Sequence, residues 1–208
     1  MMAETNPNSR LETFCDGVFA IALTLLIIDI KIPSTEPINN TQDFWIAFKQ
    51  IIPSVSAFVL SFAIIFITWV NHHNFFKLVN KSSASFIYSN GLILLAVVII
   101  PFPTSLMGEY ILTDHAAPSV ILYNAVVVIQ SIGWILVCNA ALKNKLTKNE
   151  TSNSQMKINR RNAYFSVVVY SLLAVIAIWF PLAIAIVTAL LWIFWLIFGL
   201  RFKSEEKN

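Results

Sequence analysis

Two carboxylates bracket an apolar run near the start of this chain. Residues 10–30 read RLETFCDGVFAIALTLLIIDI, with Asp16 towards one end and Asp29 at the other. An ionisable side chain within a membrane-crossing helix costs about 2.5–3.5 kcal/mol on insertion scales, so it calls for a partner or a function. Such a group can bind a cation, pass a proton, or hold helices together by hydrogen bonds, and for Asp16 a buried carboxylate that holds helices together is favoured over ion binding. At about 100° per residue, Gly17, Ile21, Thr24, Leu25 and Ile28 share one helix face, while Glu12 and Asp16 point away from it. One side is smooth and apolar with a single hydroxyl; the other is polar and wants protein neighbours. That division suits a helix lining a narrow conduit.

Other chemistries find little support. His72 and His73 are adjacent, so on a helix they point about 100° apart and are poorly placed to chelate one metal together. Cys15 and Cys138 both fall in apolar segments, which speaks against a disulfide framework or a zinc motif. No HExxH pair, GxSxG elbow or Ser-Lys arrangement is present, so no enzyme activity, metal or cofactor is expected. A carbonyl-lined selectivity filter needs a TVGYG-like loop, which this sequence does not contain, and no regularly spaced arginine helix is present for voltage sensing.

The elements that must position these residues are membrane helices. The chain has 208 residues, 57% of them hydrophobic and only 12% charged, with a mean hydropathy of +0.72. A soluble domain carries about 25% charged residues, so an all-α polytopic membrane protein is expected. Six apolar runs emerge, at about 11–30, 44–70, 85–106, 118–141, 163–180 and 182–200, each near the ~20 residues a helix needs to cross. The first is too long, too acidic and too poor in small residues at its end to be a cleavable signal. Trp45, Trp69 and Tyr88 lie near span ends, where amphipathic rings favour the headgroup zone, and Trp179, Trp192 and Trp195 fall among the last apolar residues.

Local signals refine the spans. Ser9-Arg10-Leu11-Glu12 fits a capping box opening the first helix, and Lys31-Ile32-Pro33 closes it. Pro53 predicts a kink in span 2, or an interfacial turn before the true span. Pro101 and Pro103 are expected to end span 3, Pro118 to occupy the first turn of span 4, and Pro181 to separate spans 5 and 6. Residues 143–162, KNKLTKNETSNSQMKINRRN, read as a polar, mobile loop whose cations can touch anionic lipid heads. Asn90-Gly91, Asn124, Gln130 and the Ser54/Ser56/Ser61 set offer small or polar contacts between helices. Without a domain boundary or an internal repeat, residues 1–208 form one six-helix domain.

Orientation follows from the basic residues. All but two of the 14 lysines and arginines fall before span 1, in the 2–3 and 4–5 loops, or after span 6; the exceptions are Lys31 and Lys49. The positive-inside rule then places both termini in the cytoplasm. The opposite face carries Asp29, Glu36, Asp43, Glu109 and Asp114, an acidic excess that reads either as a means of concentrating cations at an external mouth or as an ordinary soluble loop surface. The net charge of +3 reflects this topology and not nucleic-acid binding.

Two motifs carry a resemblance. Arg10-Leu-Glu-Thr-Phe14-Cys15-Asp16 resembles the Arg-x-x-x-Phe-Ser-Asp opening of the transmembrane-protein-175 family, the lysosomal potassium channels and their bacterial homologues. Trp69-Val-Asn-His72-His73-Asn-Phe75, at the end of span 2, is similar to a second family feature. Cys15 stands where the family usually has Ser, and a thiol is the weaker hydrogen-bonding group. The resemblance implies a homotetramer in a bacterial inner membrane, with the first helix of each subunit around a central pore for monovalent cations, potassium preferred. Carried over, Ile21, Leu25 and Ile28 form the constriction and Thr24 a polar layer. Arg10, Phe14, Cys15 and Asp16 join the Trp69, His72 and His73 region in a structural polar network. Rings of Ile and Leu can close such a pore by dewetting. The Thr24 hydroxyl can replace part of a cation's hydration shell, or simply bond back to the carbonyl of residue 20. One histidine is expected to pack against Asp16 and the other to meet the aqueous interface. A water-filled passage beside Asp16 and His72 could also carry protons. The alternative is an ion- or proton-coupled secondary transporter using Asp16 or Asp29, although discontinuous helices and related halves are not evident.

Overall fold

The computed structural model describes residues 7–30 and 38–205, with the side chains of these except Asp29 and residues 194–205. Helix α1 spans Ser9–Leu25 and tightens into a 3-10 turn over Leu26–Asp29. It is followed by α2 (Thr41–Gln50), α3 (Ile52–Phe76), α4 (Ala84–Ile99), α5 (Pro101–Tyr110), α6 (Ala116–Lys143), α7 (Glu150–Ile176) and α8 (Pro181–Glu205). Among the described residues four stretches are long and apolar enough to cross a membrane: Ser9–Ile28, Ile52–Phe76, Ala84–Tyr110 and Ala116–Lys143. The fifth and sixth runs fall on α7, apolar only from Ala163 onward, and on α8, whose described apolar part is Pro181–Ile193.

Several boundaries differ from the sequence reading. The expected capping box does not form, because the helix starts one residue earlier. The Asn8 carbonyl already accepts the Glu12 N–H at 2.9 Å, so Ser9 lies inside α1. The Asn8 amide instead reaches the Lys81 carbonyl at 3.5 Å, tying the start of α1 to the α3–α4 loop. Span 2 begins at Ile52 rather than residue 44. A separate helix, α2, ends at Gln50, and Pro53 sits in the first turn of α3, where its missing N–H is harmless. Pro101 and Pro103 likewise open a new helix instead of ending the span, so α4 and α5 run on as one apolar rod. Pro118 and Pro181 stand at helix starts as expected. The Lys31-Ile32-Pro33 close, the Asp29 carboxylate and Trp195 lie outside what is described.

The largest correction concerns residues 143–162, most of which are helical. Asn149 caps α7 by accepting the Ser152 N–H at 2.8 Å, with Glu150 in the first turn to complement the helix dipole. Ser152, Met156, Ala163, Tyr170 and Leu173 are buried along α7, and Arg160 donates to Asn139 of α6 at 3.0 Å. The polar composition hid a narrow buried stripe. What remains of the loop is pinned, since Lys148 N–H donates to Leu78 C=O (3.0 Å) and Asn80 N–H to Leu146 C=O (3.1 Å).

Helix α6 is the hub, packing against α4, α5, α7 and α8. Close approach depends on glycine at two points. A Cβ on Gly133 of α6 would lie 2.8 Å from Ile93 Cγ1, and one on Gly108 of α5 would lie 2.8 Å from Ser54 Cα. Helix α1 sits at the flank of this bundle against α3 and α4, and its position leaves half of its circumference uncovered.

Candidate functional site

The two faces of α1 have opposite fates. Cys15, Phe19, Ala22 and Leu26 are buried against the bundle, spaced by three or four residues as one helix face requires. The opposite face stands open in the single chain, with Phe14 63%, Ile21 60%, Leu25 41% and Ile28 68% exposed. Thr24 and Gly17 are exposed on the same side, and nothing lies within 4 Å of where a Gly17 Cβ would be. Ile28 belongs to the 3-10 turn, so the stripe continues across a change of helical pitch. The Thr24 hydroxyl donates back to its own helix at 2.8 Å, to the Ile21 carbonyl and not to that of Ala20. Its proton is thereby committed, and its oxygen lone pairs remain for an electrophile outside.

Asp16 lies on the flank of α1, off this stripe. Its Oδ1 accepts the Trp69 Nε1–H at 2.8 Å, joining α1 to α3 across 53 residues of sequence. The Trp69 ring lies between Phe66 (centroids 5.6 Å apart) and His73 (6.0 Å, nearly parallel). Asp16 is exposed in the single chain, whereas the sequence reading favoured a buried carboxylate. Arg10 is also exposed, six residues before Asp16 on α1.

The two histidines divide. His73 is exposed and stacks on Trp69. His72 is buried among Phe19, Phe76 and Trp134, with ring centroids 5.3, 4.8 and 6.0 Å away. Its Nε2 pairs with Asn90 Oδ1 at 3.0 Å. The Asn90 amide nitrogen donates to Phe86 C=O, so Oδ1 is the acceptor and His72 Nε2 carries the hydrogen. His72 therefore hydrogen-bonds to α4, while His73 stacks on Trp69, the indole that donates to Asp16. Among the described residues no cluster of three His, Cys, Asp or Glu side chains is placed to hold a metal.

Below His72 the same face of α3 carries further buried polar contacts. Gln130 of α6 donates to Thr68 at 2.9 Å, and Thr68 to the Ile64 carbonyl at 2.8 Å. Ser61 meets Thr104 at 2.6 Å and Tyr123 at 3.0 Å. Thr188 of α8 donates to Asn124 at 3.2 Å. The sequence flagged Asn90, Asn124, Gln130 and Ser61 as polar residues in apolar spans, but their partners Thr68, Thr104, Tyr123 and Thr188 went unnoticed. Hydroxyl groups are common in membrane helices and carry no signal of pairing by themselves.

The arrangement is therefore a helix fixed by one face and free on the other, where branched aliphatic side chains, a glycine and one acceptor hydroxyl form a continuous strip. A family model described as endosomal/lysosomal potassium channel TMEM175 matches residues 10–101, from the start of α1 through α4. A potassium channel of Chamaesiphon minutus is 33% identical over 191 residues, 90% of this chain and 94% of the relative. A potassium channel of Streptomyces collinus is 42% identical over 112 residues, covering 54% of this chain and 53% of its own length. The crystal structure of a lysosomal potassium-selective channel TMEM175 homolog from Chamaesiphon minutus superposes with a TM-score of 0.81 at 30% identity, covering 91% of this chain and 96% of that one.

Proposed function

Because the chain belongs to the TMEM175 family of ion channels, we propose that it is a potassium-preferring cation channel of four copies, with α1 of each lining a central pore. The observation that carries this reading is the uncovered strip of Ile21, Leu25 and Ile28 on a helix whose other face is fully packed. Four such strips facing one axis form rings of branched apolar side chains. An ion there loses water without gaining ligands, so a narrow ring of this kind dewets and closes. Opening spreads or rotates α1. The 3-10 turn at Leu26–Asp29 is a natural place for that movement, because such turns have poorer hydrogen-bond geometry than an α-helix.

Thr24 supplies the polar layer. With its hydrogen held by Ile21 C=O, the oxygen of each copy presents only lone pairs to the axis. A ring of four replaces part of a cation's hydration shell. Potassium is the more weakly hydrated of the two common alkali ions, so it gains more than sodium; the preference is modest because one ring is far from a full shell. Six spans, read from the apolar runs, both termini in the cytoplasm, read from the basic residues, and a bacterial inner membrane, implied by the family resemblance, belong to the same proposal.

Reconstitution into liposomes with potassium, sodium or caesium gradients tests it. Potassium flux should exceed sodium flux, and Ile21→Asn, which wets the first ring, should raise cation leak several-fold. Unchanged flux in Ile21→Asn vesicles that contain folded protein would overturn the pore assignment.

A further inference from the structure

Helix α7 carries a second pattern, far from α1 in sequence. A shallow, open recess on its surface is lined by Lys157, Ile158, Arg160, Arg161 and Tyr164. It sits where the helix changes character, polar through Asn162 and apolar from Ala163 to Ile176 apart from Tyr and Ser residues. Lys157, Arg161 and Tyr164 share one exposed face with Val168, Leu172 and Val175, because steps of four, three, four, four and three residues keep to one side of a helix. Two cations thus stand directly above an aromatic ring and a ladder of exposed aliphatic side chains. Arg160, at the edge of the recess, is held in place by Asn139 of α6 at 3.0 Å.

Length fits as well. At about 1.5 Å per residue, Tyr164 and Val175 are roughly 16 Å apart along the axis, about half the ~30 Å hydrocarbon core. We propose that this face of α7 holds one anionic phospholipid, its phosphate at Lys157 and Arg161 and an acyl chain along Val168, Leu172 and Val175. An arginine fork matches two phosphate oxygens and lysine adds a point charge. The tyrosine lies at the level where amphipathic rings favour the headgroup boundary. A second copy of this chain is a poorer occupant, since packing against a protein face would strip these cations of water without supplying a countercharge. The assignment needs only that α7 stands in the membrane and is independent of where the pore lies.

The test uses the purified full chain in detergent, titrated with phosphatidylglycerol or phosphatidylcholine and read by native mass spectrometry. Lys157→Gln with Arg161→Gln should lower phosphatidylglycerol affinity roughly 25-fold, at about fivefold per cation, and leave phosphatidylcholine unchanged. Lys143→Gln with Lys148→Gln removes equal charge from the same end of the bundle and should change neither. Soluble glycerol 3-phosphate should not displace the lipid, because it lacks the chain that the aliphatic ladder holds. The proposal is overturned by equal losses in both double variants, which is a general charge effect. It is equally overturned by no preference for phosphatidylglycerol, or by displacement with glycerol 3-phosphate, which marks a free-phosphate site.

Discussion

At the scale of single residues, the bond from Trp69 Nε1 to Asp16 Oδ1 joins the motif regions of α1 and α3, beside the packing of Phe19 on His72. A hydrogen bond to a charged group contributes about 1.5–3 kcal/mol when buried, and less here because Asp16 is exposed. Trp69→Phe removes the donor and keeps most of the ring, so we expect a loss of about 1 kcal/mol. Thermal melting in detergent should report it as a fall of a few degrees. Asp16→Asn retains an acceptor oxygen and should fall less; the reverse order would mean that charge, not the bond, holds the helices. His72 and Asn90 behave differently because both are fully enclosed. Replacing either by Leu strands its partner, at about 1–3 kcal/mol. Replacing both removes the unpaired group, so the double variant should lose clearly less than the two singles combined. Strict additivity in that cycle would show the pair to be uncoupled.

At the scale of elements, helices meet where side chains are absent. Gly108→Ala brings a methyl group against the Ser54 backbone, which cannot turn aside, whereas Gly133→Ala meets the Ile93 side chain first. Overpacking costs about 1–3 kcal/mol, and we expect Gly108→Ala to melt at the lower temperature. Gly17→Ala, with open space around it, should leave melting unchanged or raise it through helix propensity, by up to about 1 kcal/mol. The sequence announced much of this layer and missed some of it. The apolar runs named α1, α3, the α4–α5 rod and α6, since length and hydropathy are direct consequences of the bilayer. The α2–α3 break was half visible in Pro53, which bends or begins a helix with equal ease. The first half of α7 was lost because its buried residues over 150–162 are only Ser152 and Met156, too sparse for a hydropathy reading. The Asp16–Trp69 neighbourhood was legible through motifs alone. The turn of His72 towards Asn90 was not, for adjacent histidines look alike until a neighbouring helix chooses between them.

At the scale of the whole molecule, several exposed apolar faces compete for two environments, acyl chains and other copies of the chain. The α7 face is bulky throughout, with Phe165, Val168, Leu172 and Val175 more than half exposed. The α1 face differs in holding Gly17 and the acceptor hydroxyl of Thr24. Lipid does not reward an acceptor oxygen, because it offers it no donor. On the proposed reading, a central aqueous passage between copies satisfies that oxygen. Assembly about α1 therefore predicts that Ile28→Cys lies close to its symmetry mates while Leu172→Cys does not. The native thiols Cys15 and Cys138 are buried and stay silent, so an introduced thiol is the reactive one. Short bis-maleimide linkers should join copies at position 28 and leave position 172 unlinked, and native mass should correspond to four chains. Linking at 172 with none at 28 exchanges the roles of the two faces, which would place α1 against lipid and remove the basis for a pore along it.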